Sequence, residues 1–340
     1  MPTVQVPGTQ LHFYFTDSGA PSTLTDYTTF ILIHGHTFHG AVFQKLLPIA
    51  PAHSARVICI NRREYSGSTP HSAEELAVYA SGTEEERNTL MHQAGVHLAL
   101  AIDGIIQQCA LPSAGSVAIA GWSLGNSFVL AAMAAIMDLP SPVKQRLRSF
   151  VKTIIIWNPP SKALGIADPP KAYTPLHDQD LPPADRIPAF GKWVSSYYVH
   201  SALTTHDPDQ LNYRDADPSR KATFEDMPVK ELLTVVDFTV GDKCDTPLLE
   251  PPFTSVLASS TRKALFDPEI RDAWGDVKIV HLYGQADVWS SLFAVWNMEK
   301  WVEEAQGRAP ITFRSNEGVN HFIMWEDPDL ALKELLACTK

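Results

Sequence analysis

The sequence predicts an α/β fold: a mostly parallel central sheet flanked by helices, with a helical cap inserted late in the chain. Three observations point there. Apolar, β-branched runs recur between helical stretches. A serine sits between two glycines where one such run gives way to a helix. The strand-helix rhythm breaks after Pro159-Pro160 and resumes near Val277.

Residues 4–6 and 11–15 alternate in strand fashion around Pro7-Gly8, so the chain opens with a hairpin. Residues 29–33, 56–61, 117–120 and 151–157 are near-continuous apolar runs, as expected of strands covered by helices on both faces. Between them, residues 84–108 place Leu90, Met91, Ala94, Leu98, Ala101, Ile102 and Ile105 at helical spacing. Residues 126–137, rich in Ala, Leu and Met, read as a further helix. In residues 161–274 prolines and aspartates are frequent and strand patterns are missing. Strand-like runs resume at 277–283 and 311–314. The expected organisation is therefore a core of residues 1–160 and 275–340, interrupted by a cap of residues 161–274. Asp327 as N-cap and Pro328 in the first turn open a closing helix through Leu330, Leu332, Leu335 and Leu336.

Composition narrows the function. Of 340 residues, 45% are hydrophobic and 19% charged, which suits a globular chain with a sizeable core. A net charge of -11 without a basic cluster argues against a nucleic-acid partner. No apolar run reaches the length of a membrane span, so no membrane association is expected. The N-terminus lacks the charged and apolar regions of a signal peptide. Cys59, Cys109, Cys244 and Cys338 are scattered, with no C-x-x-C pair, and Cys59 falls in an apolar strand as a packed thiol. A reduced, cytoplasmic protein is the expectation.

The chemistry centres on Gly121-Trp122-Ser123-Leu124-Gly125. A serine on a sharp strand-to-helix turn is a nucleophile elbow, where flanking glycines avoid clashes with the serine backbone. The following helix aims free N–H groups at the place where an oxyanion would form. Serine is a poor nucleophile at neutral pH and needs a base, itself oriented by an acid. In this architecture the order is serine, acid, histidine. Asp287, just past the run ending at Tyr283-Gly284, fits the acid, and His321, after the last strand, fits the base. Both fall at strand C-termini, where open α/β sheets place their sites.

One oxyanion donor is expected at the backbone N–H of Leu124. The other is expected at His36, in the stretch His34-Gly35-His36-Thr37-Phe38-His39-Gly40 after the 29–33 strand. Three imidazoles there could suit zinc, but no carboxylate or cysteine ligand is near in sequence, so packing and pocket lining are the expected roles. No metal or cofactor is expected. Phe190, Trp193 and Tyr197 have helical spacing, with Tyr198 adjacent. Such a stripe either roofs the site or packs the cap onto the core. Trp122, Trp289 and Trp325 lie close in sequence to site residues and are expected to add apolar walls.

Together, His34-Gly35, the Gly121–Gly125 pentad, Asp287 and His321 resemble the α/β-hydrolase family across the whole chain, with residues 161–274 where that family carries a cap. Many members have Asp-x-Arg-Gly-x-Gly-x-Ser after the next strand; here Asn61, Glu64 and Ser66 replace the Asp and both glycines, while Arg63 and Ser68 match. Epoxide hydrolases and haloalkane dehalogenases of the family use aspartate at the elbow, so Ser123 points away from them. The resemblance implies hydrolysis of an ester or lactone of a moderately hydrophobic small molecule through an acyl-enzyme. Two alternatives stay open at this level: a lyase, C–C bond hydrolase or cofactor-free enzyme in which His321 and Asp287 move protons, and a ligand receptor that keeps the three residues.

Overall fold

A computed structural model describes residues 2–22, 25–307 and 309–340. Its strands are β1 (Thr3–Gln5), β2 (His12–Asp17), β3 (Thr28–Ile33), β4 (Ala55–Ile60), β5 (Ser116–Trp122), β6 (Val151–Trp157), β7 (Lys278–Gly284) and β8 (Thr312–Asn316). They form one eight-stranded sheet in the order β1-β2-β4-β3-β5-β6-β7-β8. β1 and β2 form the expected antiparallel hairpin, and β2 pairs antiparallel with β4. All other pairings are parallel.

Register decides what meets at the sheet edge. Ile33 pairs with Ile60 on one side and with Gly121 on the other, so β3, β4 and β5 end in one row. The chain leaves β3 for β4 on one flank, then returns to β5 on the other. That reversal opens a crevice between the loops after β3 and β5, where sheets of this kind bind ligands.

Side chains alternate between two apolar layers because strand residues point to opposite faces. Ile31, Ile33, Ile58 and Ile60 pack with the helices Glu84–Gln108 and Gly125–Ala134 on one face. Phe30, Leu32, Val57 and Cys59 pack with Phe43, Trp122, Trp157 and the closing helix on the other. Burial pushes the Cys59 thiol up to about 12, which leaves it inert. The helix Glu84–Gln108 starts at Thr83, which exchanges capping-box bonds with Glu86. The closing helix Pro328–Cys338 starts at Asp327, whose carboxylate accepts from the Leu330 N–H at 2.9 Å.

Three sequence expectations shift. The helix after the elbow ends at Ala134, and a 3-10 turn, Ile136–Asp138, follows. The cap helix Pro183–Val194 stops before Tyr197. Ser195 and Ser196 cause this stop: their hydroxyls donate to the carbonyls of Gly191 and Lys192 at 2.8 and 2.7 Å and occupy the last turn. The excursion between β6 and β7 carries no strand of the sheet among the described residues, yet it is not all cap. Its helix Pro251–Phe266 sends Phe253, Val256, Leu257 and Leu265 into the main core, and Trp274 donates to the Met133 carbonyl at 2.9 Å. Residues 251–274 therefore belong to the helical layer on the sheet.

Candidate active site

Ser123 follows β5 with φ +55°, the left-handed turn of an elbow. Its neighbours show why glycine is required. A Cβ on Gly125 would lie 2.3 Å from the Ile33 carbonyl oxygen, and one on Gly121 would lie 2.7 Å from Asn126 Cα. Asn126, not singled out by the sequence, ties the turn to β6. Its Nδ2 donates to the carbonyls of Ser123 and Trp157 at 2.8 and 3.0 Å, and its Oδ1 accepts from the Trp157 N–H at 3.2 Å.

Asp287 and His321 come from the loops after β7 and β8 and are both buried. His321 Nδ1 lies 2.9 and 3.1 Å from the two Asp287 carboxylate oxygens. A carboxylate only accepts, so Nδ1 is the ring nitrogen that donates to it, which leaves Nε2 as the nitrogen turned away from Asp287. The Val288 N–H also donates to Asp287 Oδ1, at 2.6 Å, and His200 bonds the Asp287 carbonyl at 2.8 Å. Trp122 Nε1 donates to the His321 carbonyl at 3.0 Å, which fixes the backbone that carries the imidazole. Ser123 and His321 both open onto one cavity of about 410 Å³. The imidazole hydrogen bonds run to Asp287, and none joins His321 to Ser123 Oγ.

The loop after β3 presses on the elbow: a Cβ on Gly35 would lie 2.7 Å from Ser123 Cβ. Among the described residues, the N–H groups of His36 and Leu124 have no protein acceptor, and both residues line the cavity. The three imidazoles of this loop are engaged in packing and hydrogen bonds. His34 Nε2 accepts from the Arg62 N–H at 3.0 Å; burial, and then the Arg62 charge, hold this ring well below the ordinary imidazole range. His36 bonds the hydroxyls of Thr246 and Thr37 at 3.0 and 2.8 Å, and burial also lowers its pKa. His39 accepts from the Ala41 N–H at 3.4 Å. Among the described residues, no group of three or more His, Cys, Asp or Glu is placed to hold a metal.

The stretch that departs from the family pattern works by other means. Asn61 Oδ1 accepts from the Gly40 N–H at 2.7 Å, and its Nδ2 donates to the Ser66 carbonyl at 2.8 Å. Gly67, at φ +84°, supplies the turn. Behind it lies a pair that sequence reading missed: Arg62 and Asp245, 183 residues apart, meet through two hydrogen bonds of 2.8 Å. Burial works to raise the Asp245 pKa, but the Arg62 charge and hydrogen bonds, with His36 and the Tyr65 hydroxyl, together hold the carboxyl below its ordinary value.

Phe190, Trp193, Tyr173 and Trp289 form an aromatic part of the cavity wall, and Lys162, Asp168, Asp178, Asp180, Arg214 and Glu250 are also on its boundary. Of the residues expected at the pocket, Trp193 and Trp289 are on this lining; Trp122, Trp325, Tyr197 and Tyr198 are not. Trp122 is buried among Phe38, Phe43 and Phe322 beneath His321. Tyr197 lies beyond the end of the cap helix, with the Arg220 guanidinium 3.3 Å over its ring. Tyr198 supports the wall from behind, its hydroxyl donating to the Trp193 carbonyl at 2.8 Å.

A serine elbow at the reversal point of a mostly parallel sheet, with a carboxylate and an imidazole on the last two strand ends, defines the α/β-hydrolase fold. The chain belongs to the alpha/beta hydrolase family, whose sequence pattern matches residues 30–334. Among solved structures, it is similar to Est816, described as an N-acyl homoserine lactone degrading enzyme, at 16% identity and TM-score 0.52, with 99% of each chain covered. It is similar to a putative aryl esterase from Burkholderia cenocepacia at 15% identity and TM-score 0.51, covering 98% of this chain and 96% of the other. Epoxide hydrolase A from Mycobacterium thermoresistibile matches at 16% identity and TM-score 0.51, covering 99% and 97%. At these identities the likeness is one of fold. No curated protein sequence matches the chain. No helix among the described residues is long and apolar enough to cross a membrane.

Proposed function

We propose that this chain is a serine hydrolase that cleaves a carboxylic ester or lactone of a moderately hydrophobic small molecule through an acyl-enzyme. One observation carries the reading: Ser123, strained at φ +55°, opens onto the same cavity as an imidazole whose far nitrogen is held by a buried carboxylate. In the first step Ser123 Oγ attacks the acyl carbon while His321 Nε2 takes the hydroxyl proton. The carbonyl oxygen becomes an oxyanion, stabilised by the His36 and Leu124 N–H groups. The tetrahedral centre collapses, the C–O bond to the alcohol breaks, and His321 returns its proton to the departing alkoxide. Water then repeats the sequence on the acyl-enzyme and releases the acid.

The aromatic walls favour apolar, uncharged acyl or alcohol groups. The segment from Ser161 to about Glu250 acts as the cap, with Phe190 and Trp193 as its roof. The four cysteines are free thiols, which supports a reducing, cytoplasmic setting.

Ser123→Ala is expected to abolish hydrolysis of p-nitrophenyl acetate and labelling by a fluorophosphonate, with an unchanged circular dichroism spectrum. Retained labelling would place the nucleophile elsewhere. Within an ester and lactone panel, faster turnover of charged than of neutral substrates would overturn the apolar-pocket part of the reading.

A further inference from the structure

We propose that Asp245 and Arg62 form a positioning pair that holds the His36 N–H in the orientation needed by the oxyanion; this inference rests on the serine-hydrolase reading. A peptide unit is planar and trans, so its C=O and N–H point in opposite directions. The carbonyl opposite the His36 N–H is that of Gly35. Arg62 grips it at 2.8 Å with the same Nη2 that donates to Asp245 Oδ2, also at 2.8 Å. A second guanidinium nitrogen donates to Asp245 Oδ1 at 2.8 Å, and Nε donates to the His34 carbonyl at 3.2 Å. The guanidinium is thus locked by Asp245 on one side and clamps the oxyanion loop with the other.

Asp245 also holds the other flank of His36. Its Oδ2 accepts from the Thr37 N–H at 2.9 Å and from the Tyr65 hydroxyl at 2.5 Å. Thr37 has φ +65°, a conformation that β-branched residues rarely adopt and that persists only where the surroundings enforce it. The chain segment leading to Asp245 runs along the same loop. The His39 N–H donates to the Val235 carbonyl at 3.0 Å, and the Asp237 N–H donates to the Thr37 carbonyl at 2.8 Å. Asp245 then enters on the π-helical turn Gly241–Asp245, where a Cβ on Gly241 would lie 2.2 Å from Thr37 Oγ1.

Stability alone does not account for the pair. The Arg62 side chain is 6% exposed and that of Asp245 is 0% exposed, and apolar replacements of such buried pairs are often as stable or more so. What the pair adds is direction: a fork that fixes one carbonyl, and through it the opposite N–H. Lysine has no such fork.

The test uses the full chain, with p-nitrophenyl acetate as substrate and phenylboronic acid as a tetrahedral-adduct probe. Asp245→Asn is expected to lower kcat about 10²-fold with KM within threefold, and to weaken phenylboronic acid by a similar factor. This single variant leaves Arg62 buried and unpaired, and it can fail to fold for that reason alone. The double variant Arg62→Met with Asp245→Asn removes the unpaired charge. It is expected to restore the wild-type Tm while kcat and boronate affinity stay low. Recovery of kcat and boronate affinity together with Tm would show a merely structural pair and overturn the proposal, as would an Asp245→Asn enzyme of wild-type kcat. Failure of the underlying reading looks different: wild-type protein itself would resist the fluorophosphonate, and the positioning role would fall with it.

Discussion

His321 Nδ1 stands 2.9 Å from Asp287 Oδ2, although the two residues are 34 positions apart and arrive on separate loops. The contact fixes which imidazole nitrogen carries the proton. Asp287→Asn presents an amide N–H or a neutral acceptor in place of a carboxylate, which disturbs that tautomer. The substitution keeps shape, so the fold is expected to survive. By the size of the effect of this replacement in another Ser-His-Asp enzyme, kcat should fall by about 10³ to 10⁴ at neutral pH. Steady-state rates on p-nitrophenyl acetate check it; a loss under tenfold would mean that Asp287 does not orient the base.

Trp193 joins the cap helix to the cavity. Its Nε1 donates to the Tyr213 carbonyl at 3.1 Å while the ring lines the cavity. Trp193→Leu trims apolar wall from the cavity. KM for short neutral esters is expected to rise about three- to tenfold with kcat little changed, since uniform binding is lost rather than transition-state binding. Equal loss in kcat and kcat/KM would place Trp193 nearer the chemistry than the cavity suggests.

His281 on β7 is fully buried, and among the described residues neither ring nitrogen has a hydrogen-bond partner. Burial pulls its pKa down to about 3. The unfolded chain therefore binds a proton here that the folded chain refuses, between an ordinary imidazole value of ~6.5 and about 3. Stability rises with pH across that window and is lost as pH falls through it. Buried His34 and His36 act in the same direction. His281→Leu is expected to reduce the stability lost between pH 7 and pH 5 by about 2 kcal/mol. Urea unfolding of both proteins at the two pH values measures this; an unchanged difference would mean that His281 is protonated in the folded state.

Local chemistry was legible in the sequence wherever a few adjacent residues decide the outcome. Asp327 with Pro328 marks the start of the closing helix. The apolar run at Val151–Trp157 is the strand itself. The Gly121–Gly125 pentad and the order of Asp287 and His321 announced where to look, because strand ends and elbows have short-range signatures. Helix ends set by side chains were harder. Ser195 and Ser196 stop the cap helix through bonds to its last carbonyls, so Tyr197 and Tyr198 leave the stripe that spacing alone assigned them. The departure of Pro251–Phe266 from the cap was equally hidden, because an apolar helix face does not say which neighbour it meets.

The sequence by itself determined the sheet-and-helix rhythm, the serine elbow and the chain order of Ser123, Asp287 and His321, since each is written in local spacing and backbone preference. Tertiary structure alone decided which side chains face the cavity and that Arg62 meets Asp245 across 183 residues. Hydrogen bonding and burial are properties of neighbours in space, and only the folded sheet with its packed excursion brings those neighbours together.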